Sequence, residues 1–425
     1  MSKMIKGFSK LSKAEKIHWL ADNFFFEKEK GIETLEQYFN KDAELQQLHD
    51  EFIENTISNF YVPYAIAPNF LINGKTYAIP MAIEESSVVA AAALTAKFWS
   101  SRGGFNTKVI STTKVGQVHF TYEGGKRDLE QYFLSVKKDL IHATDHITVN
   151  MRKRGGGIVD IELRDRTDSL EHYYQLHVTF ETGDSMGANF INSCLEAIAD
   201  SFEKDDILVI MSILSNYVPQ CLVHAEVSCK IDEFFPEDAE MYARKFVQAV
   251  EIAKVEPYRA VTHNKGIMNG IDAVVLATGN DFRAVAAGAH AYACRDGQYR
   301  SLTKAEIIDG EFKFSIEIPL SLGTVGGLTK LHPLAKLSME ILQNPTAAEL
   351  MQIVAVAGLA QNFAALRALT TTGIQQGHMK MHLMNILNQL EANVHEKELI
   401  VEAFKGKTLS HSAIAEYLHH IRTGH

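Results

Sequence analysis

Lys265 stands in a setting that suits chemistry better than packing. The stretch THNKGIMNGIDAVVLATGND (262–281) surrounds it with Asn264, Gly266 and Asn269, runs on through the apolar IDAVVLAT, and ends in Asn280-Asp281. A fixed ammonium at such a place can stabilise an oxyanion as a carbonyl is reduced. As a free amine it could instead form a Schiff base. Asp281 nearby would keep the lysine charged and so poorly nucleophilic, although a buried lysine also takes an aspartate as a purely structural counter-charge. The glycine and asparagines let the backbone approach a ligand and offer neutral hydrogen-bonding groups.

Three further stretches carry candidate groups. Glu85 lies in EESSVVAAAALTAKFW, just before a helix with Ser86 or Ser87 as its N-cap. Glu84 and Glu85 can be favourable anions at a helix N-terminus. A carboxyl at the mouth of a helix this apolar is also expected to be partly desolvated, which raises its pKa and makes it a general acid. DSMGAN (184–189) joins a strand to a helix, and a glycine at that junction opens the helix N–H groups to phosphate. It is not the GxGxxG fingerprint, and neither is RKRGGGIVD (152–160), whose glycines precede a strand. His378, between Gly377 and a polar helix start, suits a proton donor to a leaving group. A lone histidine is more often structural. His382 lies one turn on, but without HExxH or a third ligand a metal site is not expected.

The elements that must position these groups follow from periodicity and composition. The chain has 425 residues, 46% of them hydrophobic and 22% charged, which suits two or three globular domains. A net charge of −10 and a pI near 6.0 argue against nucleic acid as a partner. No apolar run approaches a membrane span, and the first residues lack the apolar core of a signal peptide. Cys194, Cys221, Cys229 and Cys294 form no CxxC pair and are expected to be buried thiols in a reducing cytoplasm.

Residues 1–60 read as helices. NFLINGKTYAIPMAI (69–83) reads as a hairpin turning at Asn73-Gly74. From about 106 to 216 the order is β-α-β-β-α-β, the ferredoxin-like arrangement, inserted into a larger helix-rich body. The expected fold is α/β (α+β). Its parts are 1–105 as the first part of the large domain, 106–216 as the insert, 217–375 as the second part of the large domain, and 376–425 as a helical tail.

Taken jointly, EESSVVAAA, DSMGAN, PYRAVTHNKGIMNGIDAVVLATGNDFRAVAAGAHAYA, GTVGGLTKLHPLA and GIQQGHM closely resemble the soluble bacterial class (class II) of 3-hydroxy-3-methylglutaryl-coenzyme A reductases. They span roughly residues 60–380 in the family's order, and the membrane anchor of the animal class is not expected. The resemblance implies a four-electron reduction of 3-hydroxy-3-methylglutaryl-CoA to mevalonate and coenzyme A, through a hemithioacetal and mevaldehyde. It makes Glu85, Lys265, Asp281 and His378 catalytic. Ser87, Arg259 and Asn269 become substrate-binding, with Arg259 on the terminal carboxylate. Asp184, Met186, Gly187, Asn189 and Asn216 become cofactor-binding. It also implies a central helix in the large domain, nicotinamide cofactor binding by the insert, closure by the C-terminal flap, and a cytoplasmic homodimer or higher even oligomer with its site at the interface.

NAD-preferring members carry an Asp before the Gly-rich turn. Here Ile147 or Thr148 occupies the comparable place, with Asp145 close by. The cluster Arg152, Lys153 and Arg154 suits a 2′-phosphate, so NADPH is expected over NADH; the ordinary alternative is a solvated turn. Competing functions are a Lys-dependent acyl-CoA lyase or aldolase and a non-catalytic acyl-CoA-binding protein.

Overall fold

The computed structural model describes residues 4–235, 238–371, 383, 384, 386–404 and 410–423. The chain separates into two compact units, Met1–Pro63 and Tyr64–His425.

The first unit holds helices α1 (Lys13–Phe24), α2 (Lys28–Gln37) and α3 (Ala43–Asp50). Ser12 and Glu15 cap α1 reciprocally, and Asp42 caps α3 through the amides of Glu44 and Leu45. Lys13 on α1 donates to Asp50 on α3 at 2.8 Å, which ties the first helix to the third.

The second unit opens with the hairpin of β1 (Tyr64–Ile72) and β2 (Lys75–Ala82). Asn73 and Gly74 have φ of 48° and 79°, both left-handed, as a two-residue turn with the native strand twist requires. Helix α4 (Val88–Ser100) follows, burying Val88, Ala92, Thr95, Ala96 and Trp99. Ser87 takes its N-cap position with φ 74° but makes no capping hydrogen bond with its side chain.

Strand β3 (Asn106–Val109) does not join the strand that follows it. It pairs with β8 in the sheet β3-β8-β10-β9, whereas β4 (Lys114–Tyr122) lies in the sheet β5-β6-β4-β7. Strand pairing thus groups 106–109 with the larger body rather than with the insert. The second sheet is built by β4, α5 (Lys126–Ala143), α6 (Asp145–Arg152), β5 (Gly157–Asp165), β6 (Tyr173–Glu181), α7 (Ala188–Ser201) and β7 (Ile207–Leu214). This is the β-α-β-β-α-β order read from the sequence, all antiparallel. The region read as one helix breaks at Thr144, whose hydroxyl bonds back to the Ile141 carbonyl. Alternation along β4 sends Val118, Phe120 and Tyr122 into a core with Leu176, Val178 and Leu195.

After β8 (Leu222–Lys230) come α8 (Ile231–Phe234), α9 (Ala239–Val255), α10 (Pro257–Ala277), α11 (Phe282–Ala293), β9 (Thr303–Ile308), β10 (Glu311–Pro319), α12 (Gly327–Leu331), α13 (Pro333–Ile341) and α14 (Ala347–Thr370). Helices α10 and α14 pack closely. A Cβ on Gly270 would lie 2.4 Å from the Ala357 carbonyl oxygen, and one on Gly358 would lie 2.8 Å from Ile271. Gly270 therefore serves helix contact, whereas a Cβ on Gly266 would meet only the Asn362 side chain, at 4.0 Å. Phe363 of α14 sits among Trp99, Phe246, Phe312 and Phe314 in the aromatic centre of the core. Contrary to the sequence reading, α14 is long and apolar enough to cross a bilayer, but 72% of its most apolar window is buried within the protein.

The helices Val394–Ala403 and His411–Thr423 share a small separate core of Leu387, Ala392, Ile400, Ile414 and Leu418. Cys194, Cys221 and Cys229 are buried; Cys294 is exposed, against expectation, because it caps α11 where the chain leaves the helix.

Candidate active site

Helix α10 presents Lys265. Proline at its first position and Glu256, which accepts from the Arg259 amide at 2.6 Å, start the helix. Lys265, Asn269 and Asp272 follow at i, i+4 and i+7, so they share a face. The Lys265 Nζ donates to Glu85 Oε2 at 2.5 Å, across 180 positions of chain. Glu85 comes from the link between β2 and α4. The side chains are 59% and 42% exposed, so the desolvated carboxyl expected at the mouth of α4 is instead a solvent-facing partner of the lysine. Arg259 is half-buried, and burial lowers its pKa. Ser87 is likewise half-buried, two residues beyond Glu85.

Asp281 is not the partner of Lys265 in this structure. Its carboxylate caps α11, accepting from the amides of Arg283 (3.1 Å) and Ala284 (3.2 Å). The Arg283 guanidinium lies 3.2 Å away. Burial pushes the Asp281 pKa up, but the Ala284 amide and Arg283 outweigh it and hold the carboxyl below its ordinary value. Beside it, Asn280 Oδ1 accepts from the Gly323 amide at 2.8 Å.

The polar neighbours of Lys265 are structural. Asn264 is fully buried; it donates to the Arg300 carbonyl and accepts from the Leu302 amide. His263 lies 2.6 Å from the Thr303 hydroxyl, and burial pushes its pKa down to about 3, so it is neutral. These bonds fix how α10 sits on β9; they are not ligand contacts.

Asp272 is different. Its Oδ1 is buried with no hydrogen-bond partner, and burial raises its pKa from 3.8 to about 6. Between those values the folded protein holds more protons than the unfolded chain, so stability falls as pH rises through that window. Asp272→Asn should remove this dependence. At pH 7 it should be more stable by on the order of 1 kcal/mol, after discounting for partial exposure. Urea midpoints at pH 4.5 and 7 test this, and parallel pH dependences for both proteins would reject it.

A cleft of about 490 Å³ brings Met186, Gly187 and Asn189 together with Asn280, Asp281 and Arg154. Gly187 caps α7 with φ 87°, and a Cβ there would meet Thr182 at 2.6 Å. A Cβ on Gly323 would lie 2.5 Å from the Met186 nitrogen. No side chain caps α7, so its first amides are open to an acceptor, a cradle that suits a dinucleotide's phosphates.

Other expected cofactor residues lie elsewhere. The Asp184 carboxylate accepts from the Ala347 amide at 2.8 Å, at the start of α14. Asn216 is exposed, with its carbonyl where a Cβ on Gly288 would lie 2.6 Å from it. Neither lines the cleft. Arg152 is paired with Asp145 at 2.6 Å, and Lys153 is exposed; of the basic cluster only Arg154 reaches the cleft. Ile147 lines it as well, while Thr148 is buried and Asp145 is engaged by Arg152 and His142. His378 and His382 lie outside the described residues. Among the described residues no cluster of three His, Cys, Asp or Glu could hold a metal. The sequence reading missed Asn280 and Gly323, for which only their adjacency to Asp281 and to a Gly-rich turn gave a hint.

A model of the family described as hydroxymethylglutaryl-coenzyme A reductase matches residues 14–383. The 3-hydroxy-3-methylglutaryl-coenzyme A reductase of Archaeoglobus fulgidus is 40% identical over 404 residues, 95% of this chain and 91% of that protein. A probable reductase of the same name from Borreliella burgdorferi is 34% identical, over 86% of this chain and 85% of its own. Among solved structures, the class II enzyme of Streptococcus pneumoniae bound to NADPH in open conformations is similar, with a TM-score of 0.74 and 34% identity. That match covers 93% of this chain and 99% of the other.

Proposed function

The chain belongs to the hydroxymethylglutaryl-coenzyme A reductase family, and from that premise we propose that it reduces 3-hydroxy-3-methylglutaryl-CoA to mevalonate and coenzyme A at the expense of two NADPH. The observation that carries the assignment to particular residues is the Lys265–Glu85 pair. It joins an ammonium and a carboxyl from elements 180 positions apart on an accessible surface. A purely structural pair gains little from such exposure.

The nicotinamide cofactor, with its phosphates at the turn before α7, would supply hydride. The chain's own groups do the rest. Lys265 faces the carbonyl oxygen of the thioester and then of the aldehyde, and stabilises the negative charge that grows there. Glu85, beside that ammonium, is placed to pass a proton to the aldehyde oxygen. Asp281, held by the amides of α11, keeps a fixed negative charge on the wall of the cleft. His378 protonates the departing thiolate, a poor leaving group at neutral pH without a proton. Arg259 pairs with the substrate's terminal carboxylate, while Ser87 and Asn269 complete the substrate contacts. A Schiff base would need the free amine of Lys265, which here donates to Glu85. Borohydride with substrate should therefore leave the protein unmodified.

We assign the protein to the cytoplasm and to a homodimer with the site completed at its interface. Exposed Tyr258, Val261, Leu276 and Phe282 on α10 and α11 support a covered face there.

Absorbance at 340 nm with the acyl-CoA, and NADPH or NADH in turn, tests the reaction. NADPH should give the higher kcat/KM, because Arg154 and the uncharged Ile147 line the cleft. A 2′-phosphate adds nearly two negative charges for an arginine to bind. Arg154→Gln should erode that preference more than Arg152→Gln, whose guanidinium is already engaged by Asp145. Equal or better kcat/KM with NADH in the native protein would remove the cofactor assignment, and the absence of turnover with both would remove the reductase.

A further inference from the structure

Lys114, at the start of β4, is buried, being only 3% exposed. Its ammonium donates to the Thr182 hydroxyl at 2.5 Å and to the Ser185 carbonyl at 2.9 Å. The Thr182 hydroxyl donates to the same Ser185 carbonyl at 2.6 Å. Both donors thus converge on one oxygen in the turn that leads to Gly187, and Thr182 is the side chain against which Gly187 packs. Both partners of the ammonium are neutral oxygens. Burial lowers the Lys114 pKa, and Cys221, Glu181 and Asp184 push it partly back up. A buried ammonium of this kind is costly, and stability alone does not account for it.

We propose, resting on the reductase reading above, that Lys114 is the positioning residue of the cofactor turn. It draws the carbonyl of Ser185 inward so that the free amides at the start of α7 face the cleft, and it stands behind them as a fixed positive charge. It touches no reacting atom. Its effect reaches the anionic cofactor through Thr182, Ser185 and the backbone they hold. The field of a charge buried behind a wall of protein is screened far less than that of a surface lysine. Cofactor affinity should therefore depend on Lys114 more than substrate affinity does.

The test compares the native protein with Lys114→Met, Thr182→Val and Thr182→Ser. Fluorescence titration with NADPH, steady-state kinetics with both substrates, and amide hydrogen exchange over 183–190 are the readouts. Lys114→Met should raise the Kd and KM for NADPH about tenfold or more, the scale of one charge-assisted hydrogen bond. The KM for the acyl-CoA should stay within about twofold of native on that same scale. Exchange of the 183–190 amides should quicken while the core stays protected. Thr182→Val should reproduce the defect, and Thr182→Ser, which keeps the hydroxyl, should recover most of the affinity. An unchanged NADPH Kd in folded Lys114→Met overturns the proposal. So does an equal rise in the acyl-CoA KM with a lowered melting temperature, the mark of a general packing defect. A native protein that turns over with neither NADPH nor NADH overturns the reductase reading first, and this proposal with it.

Discussion

Lys265→Ala should lower turnover by at least ~10²–10³-fold, with the fold intact. The two halves of that expectation have separate grounds. An exposed ion pair contributes about 0.2–1 kcal/mol to stability, and Lys265 with 59% of its side chain exposed leaves no cavity when truncated. Losing the donor for a developing oxyanion costs about 2.7–4 kcal/mol in the transition state, because no water takes over that role in a closed site. Circular dichroism and a melting curve establish the fold, and single-turnover oxidation of NADPH establishes the chemical step. A folded Lys265→Ala protein turning over within a few-fold of native would end the role given to this lysine. Lys265→Arg is a sharper control. It keeps the charge but moves the donors to a planar fork, so it should also be impaired.

Glu85→Gln should be nearly as damaging, by about 10²-fold or more, and for a different reason. The amide keeps the size of the side chain and still accepts a hydrogen bond from Lys265, so the 2.5 Å contact can persist in altered form. What it cannot do is give up a proton. The loss should therefore fall on kcat in the aldehyde step, measured with free mevaldehyde, and leave the KM for the acyl-CoA close to native. Native kcat on mevaldehyde for Glu85→Gln would rule out Glu85 as the acid. A large rise in KM with little change in kcat would make it a binding residue instead.

The chemistry was more legible in the sequence than its geometry. Lys265, Glu85 and Asp281 stand out because each is a charge beside an apolar run, where burial alone asks for none. Which of them meet is a different matter. Glu85 lies 180 positions from Lys265, and no local period reports such a contact. Asp281, near in sequence, bonds to its own helix instead, since an aspartate at an N-cap finds free amides two and three residues on. The Asn73-Gly74 hairpin was readable because one turn type demands those residues. The β-α-β-β-α-β order was readable because each element has its own periodicity. The sheet to which β3 belongs was not, because a four-residue strand carries no record of its partner. The break at Thr144 was hidden because helix resumes directly after that single residue. The helix contact made by Gly270 was not readable either, because a glycine that admits a ligand and one that admits a neighbouring helix look alike in sequence, and only the Ala357 carbonyl 2.4 Å from its Cβ position shows which it is.

That close crossing of α10 and α14 divides the catalytic helix into a side open to redesign and a side that is closed to it. On the Gly270 side even one added carbon collides with backbone, which cannot rotate away as a side chain can. On the opposite side Lys265 is exposed and Asn269 half-buried, with room around them. Attempts to widen the range of acyl groups accepted must work around Lys265 and Asn269 on the outer stripe of α10 and have almost no latitude along the inner one. Variant libraries that randomise the whole helix would spend most of their members on chains that never assemble.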